Sequence, residues 1–175
     1  SEDGLYINGH VTGNSPYLTF EWKTDNESKY HEVQTRLIGE YNFPNALAAV
    51  TIGHFFGVEP EKIDKALAGY TPQNNRSQLK KTADNTLIID AYNANPTSMM
   101  ASISNFRNMQ AENKMLILGD MRELGKDSAD EHQKIADYLE ECGFKDVVLV
   151  GELFAATRHP YQSYPDVTAL IAELQ

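Results

Sequence analysis

The N-terminal part of the chain has the hydrophobic pattern of β-strands. Residues 17–22 are rich in aromatic and β-branched side chains, and residues 30–37 alternate with the period of a half-buried strand. A shorter run at residues 5–7 opens another strand, and the sequences at 13–16 and 25–28 are typical of turns. This order of strands and turns predicts an antiparallel β-meander.

Two helices are predicted after the meander. Pro44 occupies a position typical of the first turn of a helix, and the helix-forming residues that follow continue until Gly57. A second, shorter helix is expected over residues 59–69. The stretch 70–75 has the composition of a linker, so a domain boundary is predicted within it.

The rest of the chain alternates short apolar strands with amphipathic helices. Strands are predicted at 87–89, 115–118 and 147–150, each followed by a helix. Apolar strands without alternation are typical of a parallel sheet that is covered on both faces. The pattern therefore predicts an α/β fold with a parallel-rich sheet in this part of the chain.

The helices of this second part carry their own signals. Three apolar residues at helical spacing predict the buried face of the first one: Met99, Ile103 and Phe106. Ser128 and Glu131 have the spacing of a capping box, which predicts that the next helix opens at Ser128. A last helix is expected to begin near Asp166.

Composition and charge exclude several classes of function. The 175 residues include 15 Lys+Arg and 25 Asp+Glu, and this acidic balance argues against nucleic-acid binding, which needs a basic face. The single cysteine, Cys142, excludes an internal disulfide, and the five histidines show no spacing typical of a metal site. No apolar run approaches the roughly 18 residues needed to cross a bilayer, and no signal peptide is visible. A cytoplasmic protein without a membrane partner is expected.

Polar side chains concentrate where the predicted strand 87–89 ends. Because ligands of open α/β sheets bind at the carboxyl ends of the strands, Asp90 is a candidate to bind a ribose diol or to orient a metal-bound water. Capping of the next helix or turn is an equally good interpretation of Asp90. Asn93 and Asn95 can offer amide donors to a ligand, although asparagine is also a common turn residue.

Three further candidates lie outside the strand ends. Arg76 follows the linker, where a guanidinium can bind a phosphate, although its sequence context alone favours a solvated surface arginine. Asn42 and Asn45 are three residues apart at a helix start, so their side chains can project to the same side. One of the two is a candidate N-cap, which leaves the other without a structural reason.

These residues occur in segments that resemble the Mur ligase family. Residues 39–49, GEYNFPNALAA, resemble the segment that closes the central domain of that family. Residues 90–99, followed by GDMRELG at 119–125, resemble in particular the branch that acts on UDP-N-acetylmuramoyl-tripeptide and D-alanyl-D-alanine. The resemblance implies that 1–72 are the C-terminal part of a central ATP-binding domain. It likewise implies that 73–175 are most of a Rossmann-like C-terminal domain.

The resemblance also implies an activity and roles for individual residues. The expected reaction is ATP-dependent amide ligation in peptidoglycan precursor synthesis, with Mg²⁺ ligands and the phosphate-binding loop in a part of the family fold that precedes this chain. Asn45, with Asn42 beside it, matches the family residue that contacts adenine. Arg76 matches the arginine that reaches the phosphates, and Asp90 matches the acid that holds the ribose. In the family, one loop borders the nucleotide and the incoming dipeptide, and its positions correspond in this chain to Tyr92, Asn93 and Asn95.

No catalytic residue is expected within the chain, and the chain alone is expected to be inactive. Tyr41 stands where the family usually has histidine. The alternative function is a non-catalytic flavodoxin-like binding or signalling module with Asp90 as a phosphoacceptor. That alternative leaves the meander and the Asn42–Asn45 helix without a role.

Overall fold

The computed structural model describes residues 7–73 and 75–173. By its internal contacts the chain divides into two compact units, Ser1–Tyr92 and Asn93–Gln175. The predicted strand start at Leu5 and Tyr6 lies outside the described residues. The division after Tyr92 assigns the segment that follows the linker to the first unit, and the boundary at residues 72 and 73 stays a prediction.

The first unit begins with the predicted antiparallel meander. Its strands are β1 (Ile7–Asn14), β2 (Tyr17–Thr24) and β3 (His31–Ile38), hydrogen-bonded in that order. Every second residue of β2 is buried, including Phe20 and Trp22, each at 0 % exposure. This burial confirms the prediction, because side chains of a strand alternate between its two faces.

Two helices cover the buried face of the meander. Helix α1 (Phe43–Phe55) follows a short 3₁₀ turn, and α2 is Pro60–Gly69, as the positions of the prolines predict. The apolar core between the helices and the strands consists of Ile7, Leu18, Phe20, Trp22, Val33, Ala46, Val50 and Ile63.

The first unit ends in a β-hairpin that the sequence pattern does not predict. Strand β4 (Gln78–Lys81) pairs antiparallel with β5 (Thr86–Ile89), and hydrogen bonds between Thr82 and Asn85 close the turn. The prediction that 87–89 begins the parallel sheet is therefore wrong. A short turn brings β4 next to β5 at a small cost in loop-closure entropy, so the local partner is favoured.

The second unit contains the predicted parallel sheet. Its elements are α3 (Pro96–Asn108), β6 (Met115–Gly119), α4 (Ser128–Glu141), β7 (Asp146–Val150), α5 (Glu152–Ala155), β8 (Gln162–Tyr164) and α6 (Val167–Glu173). Strands β6, β7 and β8 are parallel and adjacent in that order. Met99 and Ile103 are buried among the core residues, as their helical spacing predicts.

The predicted capping box of α4 is not formed. A 3₁₀ turn at Gly125–Asp127 precedes the helix, so Asp127 takes the N-cap position and makes no side-chain cap bond. Ser128 has helical φ and ψ, and its Oγ lies 3.4 Å from His132 Nδ1. Ser128 is therefore the first residue inside the helix and not its N-cap, which explains the difference. No helix in the described part of the chain is long and apolar enough to span a membrane.

Candidate functional site

Five predicted ligand-binding residues belong to the first unit, and a hydrogen-bonded network connects three of them. Asn42 and Asn45 lie at the start of α1, and Asp90 follows β5. Two residues to which the sequence assigns no role, Tyr41 and Ser77, join the helix start to Asp90. Arg76 is the direct neighbour of Ser77 in the chain.

Ser77 lies at the centre of this network. It is only 6 % exposed, and its Oγ lies 3.0 Å from the Tyr41 hydroxyl oxygen and accepts a 3.3 Å hydrogen bond from Asn42 Nδ2. Its backbone N–H donates to Asp90 Oδ1 over 3.1 Å. One small buried residue therefore connects the start of α1, through its side chain, to the residue that follows β5, through its backbone N–H.

Asp90 stabilises the turn that carries Arg76. Asn75 and Ser77, on either side of Arg76, have positive φ values of 58° and 44°, which non-glycine residues rarely adopt. The N–H of Ser77 is bound by Asp90, and the carbonyl of Asn75 accepts a 2.8 Å hydrogen bond from the N–H of Ala91. Asp90 therefore holds a turn that precedes it in the chain, not the next helix or turn that the sequence offers as its structural alternative.

The carboxylate of Asp90 keeps acceptor capacity for a ligand. Its Oδ2 accepts a 3.3 Å hydrogen bond from the Tyr41 hydroxyl, and its Oδ1 binds Ser77. Each carboxylate oxygen has two lone pairs, so exposed Asp90 can still accept hydrogen bonds from ribose hydroxyls. The phosphoacceptor interpretation of Asp90 stays a prediction.

The amides of Asn42 and Asn45 lie next to each other at the start of α1. Asn42 Nδ2 donates to the Ile38 carbonyl over 2.8 Å, and Asn42 Oδ1 accepts from Asn45 Nδ2 over 3.4 Å. Asn42 is at the N-cap position but makes no side-chain cap bond. Asn45 is exposed, so its amide is the one that can meet a ligand.

Arg76 stacks on Tyr92. The guanidinium carbon lies 3.7 Å from the centroid of the Tyr92 ring, and the tyrosine is 62 % exposed. A guanidinium over an aromatic face is held by a cation–π interaction, and its N–H donors point outward in the guanidinium plane, where they can bind an anion. The pairing orients Arg76 without occupying the hydrogen bonds that an anion would use.

The other two predicted residues, Asn93 and Asn95, belong to the second unit and have local structural roles. Asn95 Oδ1 accepts the Ser98 N–H over 2.9 Å while Ser98 Oγ accepts the Asn95 N–H over 3.2 Å, a reciprocal capping box for α3. Asn93 Oδ1 accepts the N–H of Ala94. Both residues are exposed, and their binding of substrate stays a prediction.

The polar residues after β6 have a structural role. Asp120 accepts hydrogen bonds from the backbone N–H groups of Leu153 and Phe154, at 3.1 and 2.9 Å. Met121 is fully buried, and its N–H donates to Nε2 of buried His132 over 3.0 Å. This bond and the contact of Nδ1 with the Ser128 carbonyl indicate the neutral ring with its proton on Nδ1.

The comparison with known families decides the identity of the fold. Residues 75–175 match the family described as Mur ligase, glutamate ligase domain. The chain belongs to the Mur ligase family. The match and the structure confirm the predicted family and fold class, including the parallel sheet and the preceding meander.

Individual relatives of this Mur ligase chain carry more specific names. It is 45% identical over 91 residues to the UDP-N-acetylmuramoyl-tripeptide–D-alanyl-D-alanine ligase of Bacillus subtilis (strain 168), covering 51% of this chain and 20% of the relative. It is 30% identical over 179 residues to the Escherichia coli (strain K12) protein of the same name, covering 100% of this chain and 38% of that protein.

A solved structure agrees with these relatives. MurF from Acinetobacter baumannii superposes with a TM-score of 0.80 at 27% identity, over 99% of this chain and 39% of that one. The chain thus spans less than half the length of each of these proteins. A second structure, MurF ligase from Thermotoga maritima in complex with ADP, shares the fold at 16% identity with a TM-score of 0.79.

Proposed function

We propose that this chain is part of an ATP-dependent ligase that joins D-alanyl-D-alanine to UDP-N-acetylmuramoyl-tripeptide in the cytoplasm. In this proposal the chain supplies the residues that bind the nucleotide from one side. The curated relatives of that name support the substrate class. The observation that carries the proposal is the network through Ser77, since it joins Asn42 at the helix start to Asp90.

The chemistry of these residues fits a nucleotide. Bound ATP would transfer its γ-phosphoryl group to the peptide carboxylate, which gives an acyl phosphate and ADP. Attack of the dipeptide amine on the acyl phosphate would then form the amide and release phosphate. Asp90 accepts hydrogen bonds from the ribose hydroxyls, and the fork of Arg76 offsets the charge of the phosphates. The amide of Asn45, which has both a donor and an acceptor, can pair with the edge of adenine.

The chain contributes positioning and charge, and the rest of the site would lie elsewhere in the longer enzyme. No group of three or more His, Cys, Asp or Glu residues in the described ranges 7–73 and 75–173 is arranged to hold a metal ion. The proposal therefore assigns Mg²⁺ to the longer parent chain. Ligation by the 175-residue chain alone is not expected.

The loop after β5 is proposed to border the incoming dipeptide. Tyr92 is exposed beside Arg76, and Asn93 and Asn95 follow in the chain. The amide N–H donors of both asparagines can bind a carboxylate, because the local hydrogen bonds of these side chains use the amide oxygens.

The test uses the parent ligase, defined here as the longer chain that contains these residues. Asp90→Asn removes the charge while it keeps one oxygen for the turn. Loss of a hydrogen bond to a charged group costs about 1.5–3 kcal/mol, so we expect the KM for ATP to rise roughly 10- to 100-fold. The KM for D-alanyl-D-alanine should stay unchanged.

The matched control is Asp84→Asn. Asp84 is an exposed aspartate in the turn of the same hairpin, so the variant makes the same change of charge at the other end of β5. An equal effect of the two variants, or unchanged kinetics for Asp90→Asn, would remove Asp90 from the nucleotide site.

A further inference from the structure

We propose that Tyr41 and Ser77 are positioning residues of the nucleotide site, which hold Asp90 and the Arg76 turn in the binding geometry before nucleotide arrives. This inference rests on the proposed function. It adds two residues that need not contact the nucleotide themselves.

The two residues fix the Asp90 carboxylate at both of its oxygens. The Tyr41 hydroxyl donates to Oδ2 over 3.3 Å, and the Ser77 N–H donates to Oδ1 over 3.1 Å. Tyr41 and Ser77 are also linked to each other, since their hydroxyl oxygens lie 3.0 Å apart. Two anchored oxygens define the plane of the carboxylate, which sets the direction of its remaining lone pairs.

The position of Tyr41 is fixed by the backbone beneath its ring. Gly39 has a φ of 92°, and a Cβ atom at this residue would lie 2.2 Å from Tyr41 Cε1. Only glycine fits both the backbone angle and the close ring. The phenol of a half-buried Tyr41 is therefore held on the first residues after β3, from which it reaches Ser77 and Asp90.

Asp90 and Arg76 are coupled through this arrangement. Arg76 lies between two residues with positive φ, and such a backbone persists only where its surroundings hold it. One of the holding bonds is the Ser77 N–H to Asp90. Release of Asp90 from Tyr41 should therefore also loosen the turn from which Arg76 reaches its ligand.

The test is Tyr41→Phe in the parent ligase, because phenylalanine keeps the ring over Gly39 and removes only the hydroxyl. Loss of one such hydrogen bond should raise the KM for ATP roughly 3- to 10-fold. The kcat should stay within about twofold, and the KM for D-alanyl-D-alanine should not change. Ser77→Ala, which removes the partner hydroxyl, should have the same signature.

Two further variants separate positioning from a general structural role. Tyr70→Phe is the matched control, since Tyr70 is 56 % exposed at the end of α2 and should leave all constants unchanged. Tyr41→Phe combined with Asp90→Asn should raise the KM for ATP no more than Asp90→Asn alone, because both act through one carboxylate.

The outcomes distinguish this inference from the proposed function. If Asp90→Asn raises the KM for ATP but Tyr41→Phe does not, the positioning role is wrong and the proposed function stands. If Tyr41→Phe changes kcat and both KM values together, or the double variant is additive, the positioning role is also wrong. If Asp90→Asn itself has no effect, the proposed nucleotide site is wrong, whatever the result for Tyr41→Phe.

Discussion

His31 lies between two carboxylates and should make the stability of the first unit depend on pH. Its Nε2 is 3.3 Å from Glu27 Oε1, and its Nδ1 is 3.1 Å from Asp64 Oδ2. The ring stacks on Trp22 at a centroid distance of 4.6 Å, and Trp22 Nε1 donates to Asp64 Oδ1 over 2.8 Å. This cluster attaches α2, which carries Asp64, to strands β2 and β3.

The pKa of His31 is raised above its ordinary value. Burial alone would lower the pKa and is the largest single effect, but the hydrogen bond to Glu27 and the charge and hydrogen bond of Asp64 together outweigh it. The folded state therefore binds the proton more tightly than the unfolded chain. The resulting stabilisation is fully present below the unfolded pKa, near 6.5, and is lost as pH rises through the folded pKa.

Glu27 sets the lower limit of the pH range in which the cluster stabilises the fold. Its pKa is lowered, first by the hydrogen bond from the backbone of Thr24, against burial, and further by Thr24 Oγ1 and His31. This contribution is present above the unfolded pKa of glutamate and is lost as pH falls through the folded pKa. The cluster should therefore stabilise the fold most between these two transitions.

The magnitude follows from two partly exposed charge pairs. The side chains of His31, Glu27 and Asp64 are 22%, 32% and 23% exposed. Exposed pairs contribute up to about 1 kcal/mol each, so the two together should contribute about 1–2 kcal/mol below neutral pH. For a unit of this size, that corresponds to a change in Tm of roughly 4–16 °C.

The assay is urea unfolding of the 175-residue chain at several pH values from about 5.5 to 9. Trp22 is the single tryptophan and stacks on His31, so its fluorescence reports unfolding of this unit. Relative to His31→Gln, the wild-type chain should lose about 1–2 kcal/mol of unfolding free energy as pH rises. His10→Gln is the control, because His10 is 53% exposed and lies 3.5 Å from a single carboxylate, Glu21. Parallel pH profiles of wild type and His31→Gln would refute the reasoning.

Two other substitutions test the packing. Gly151→Ala should lower the unfolding free energy of the second unit by more than about 2 kcal/mol, because a Cβ would lie 2.1 Å from the Asp120 carboxyl carbon. Its control is Gly143→Ala, which has open space at its Cβ and should cost about 1 kcal/mol. Both values are measured by chemical unfolding. Phe55→Lys should change the unfolding free energy by less than about 0.5 kcal/mol, since Phe55 is 81 % exposed, and should reduce concentration-dependent light scattering. Equal costs for the two glycines, or a large loss for Phe55→Lys, would contradict the packing described.

The elements that could be predicted from sequence are those with a local cause. The alternation along β2 and the prolines at the starts of α1 and α2 determine those elements directly. The apolar run 87–89 predicts a strand but not its partner, because a parallel strand and one strand of a hairpin have similar sequences. Its partner β4 begins directly after the buried Ser77 and carries two exposed lysines, which is a weak strand pattern.

A local cause also separates the site residues that could be predicted from the sequence from those that could not. Asn42, Asn45, Arg76 and Asp90 could be predicted because they lie at a helix start, after a linker and after a strand. Ser77 could not, because a single serine has no pattern and its role depends on burial and on a positive φ. Asp120 also follows a strand, but its carboxylate accepts hydrogen bonds from the N–H groups of Leu153 and Phe154 and has a structural role.

Asp90 shows why the choice of substitution matters for the nucleotide site. The sequence offers binding of a ribose and capping of the next helix or turn as equal alternatives for Asp90, and the structure instead shows it bound to the Arg76 turn, which precedes it. One carboxylate can hold that turn and bind a ribose, because its oxygens have more lone pairs than the turn uses. Asp90→Ala removes both roles, so a loss of ATP binding could come from a displaced Arg76. Asp90→Asn keeps an oxygen for the Ser77 N–H, so a raised KM for ATP with unchanged unfolding free energy would assign the loss to the ligand-facing lone pairs.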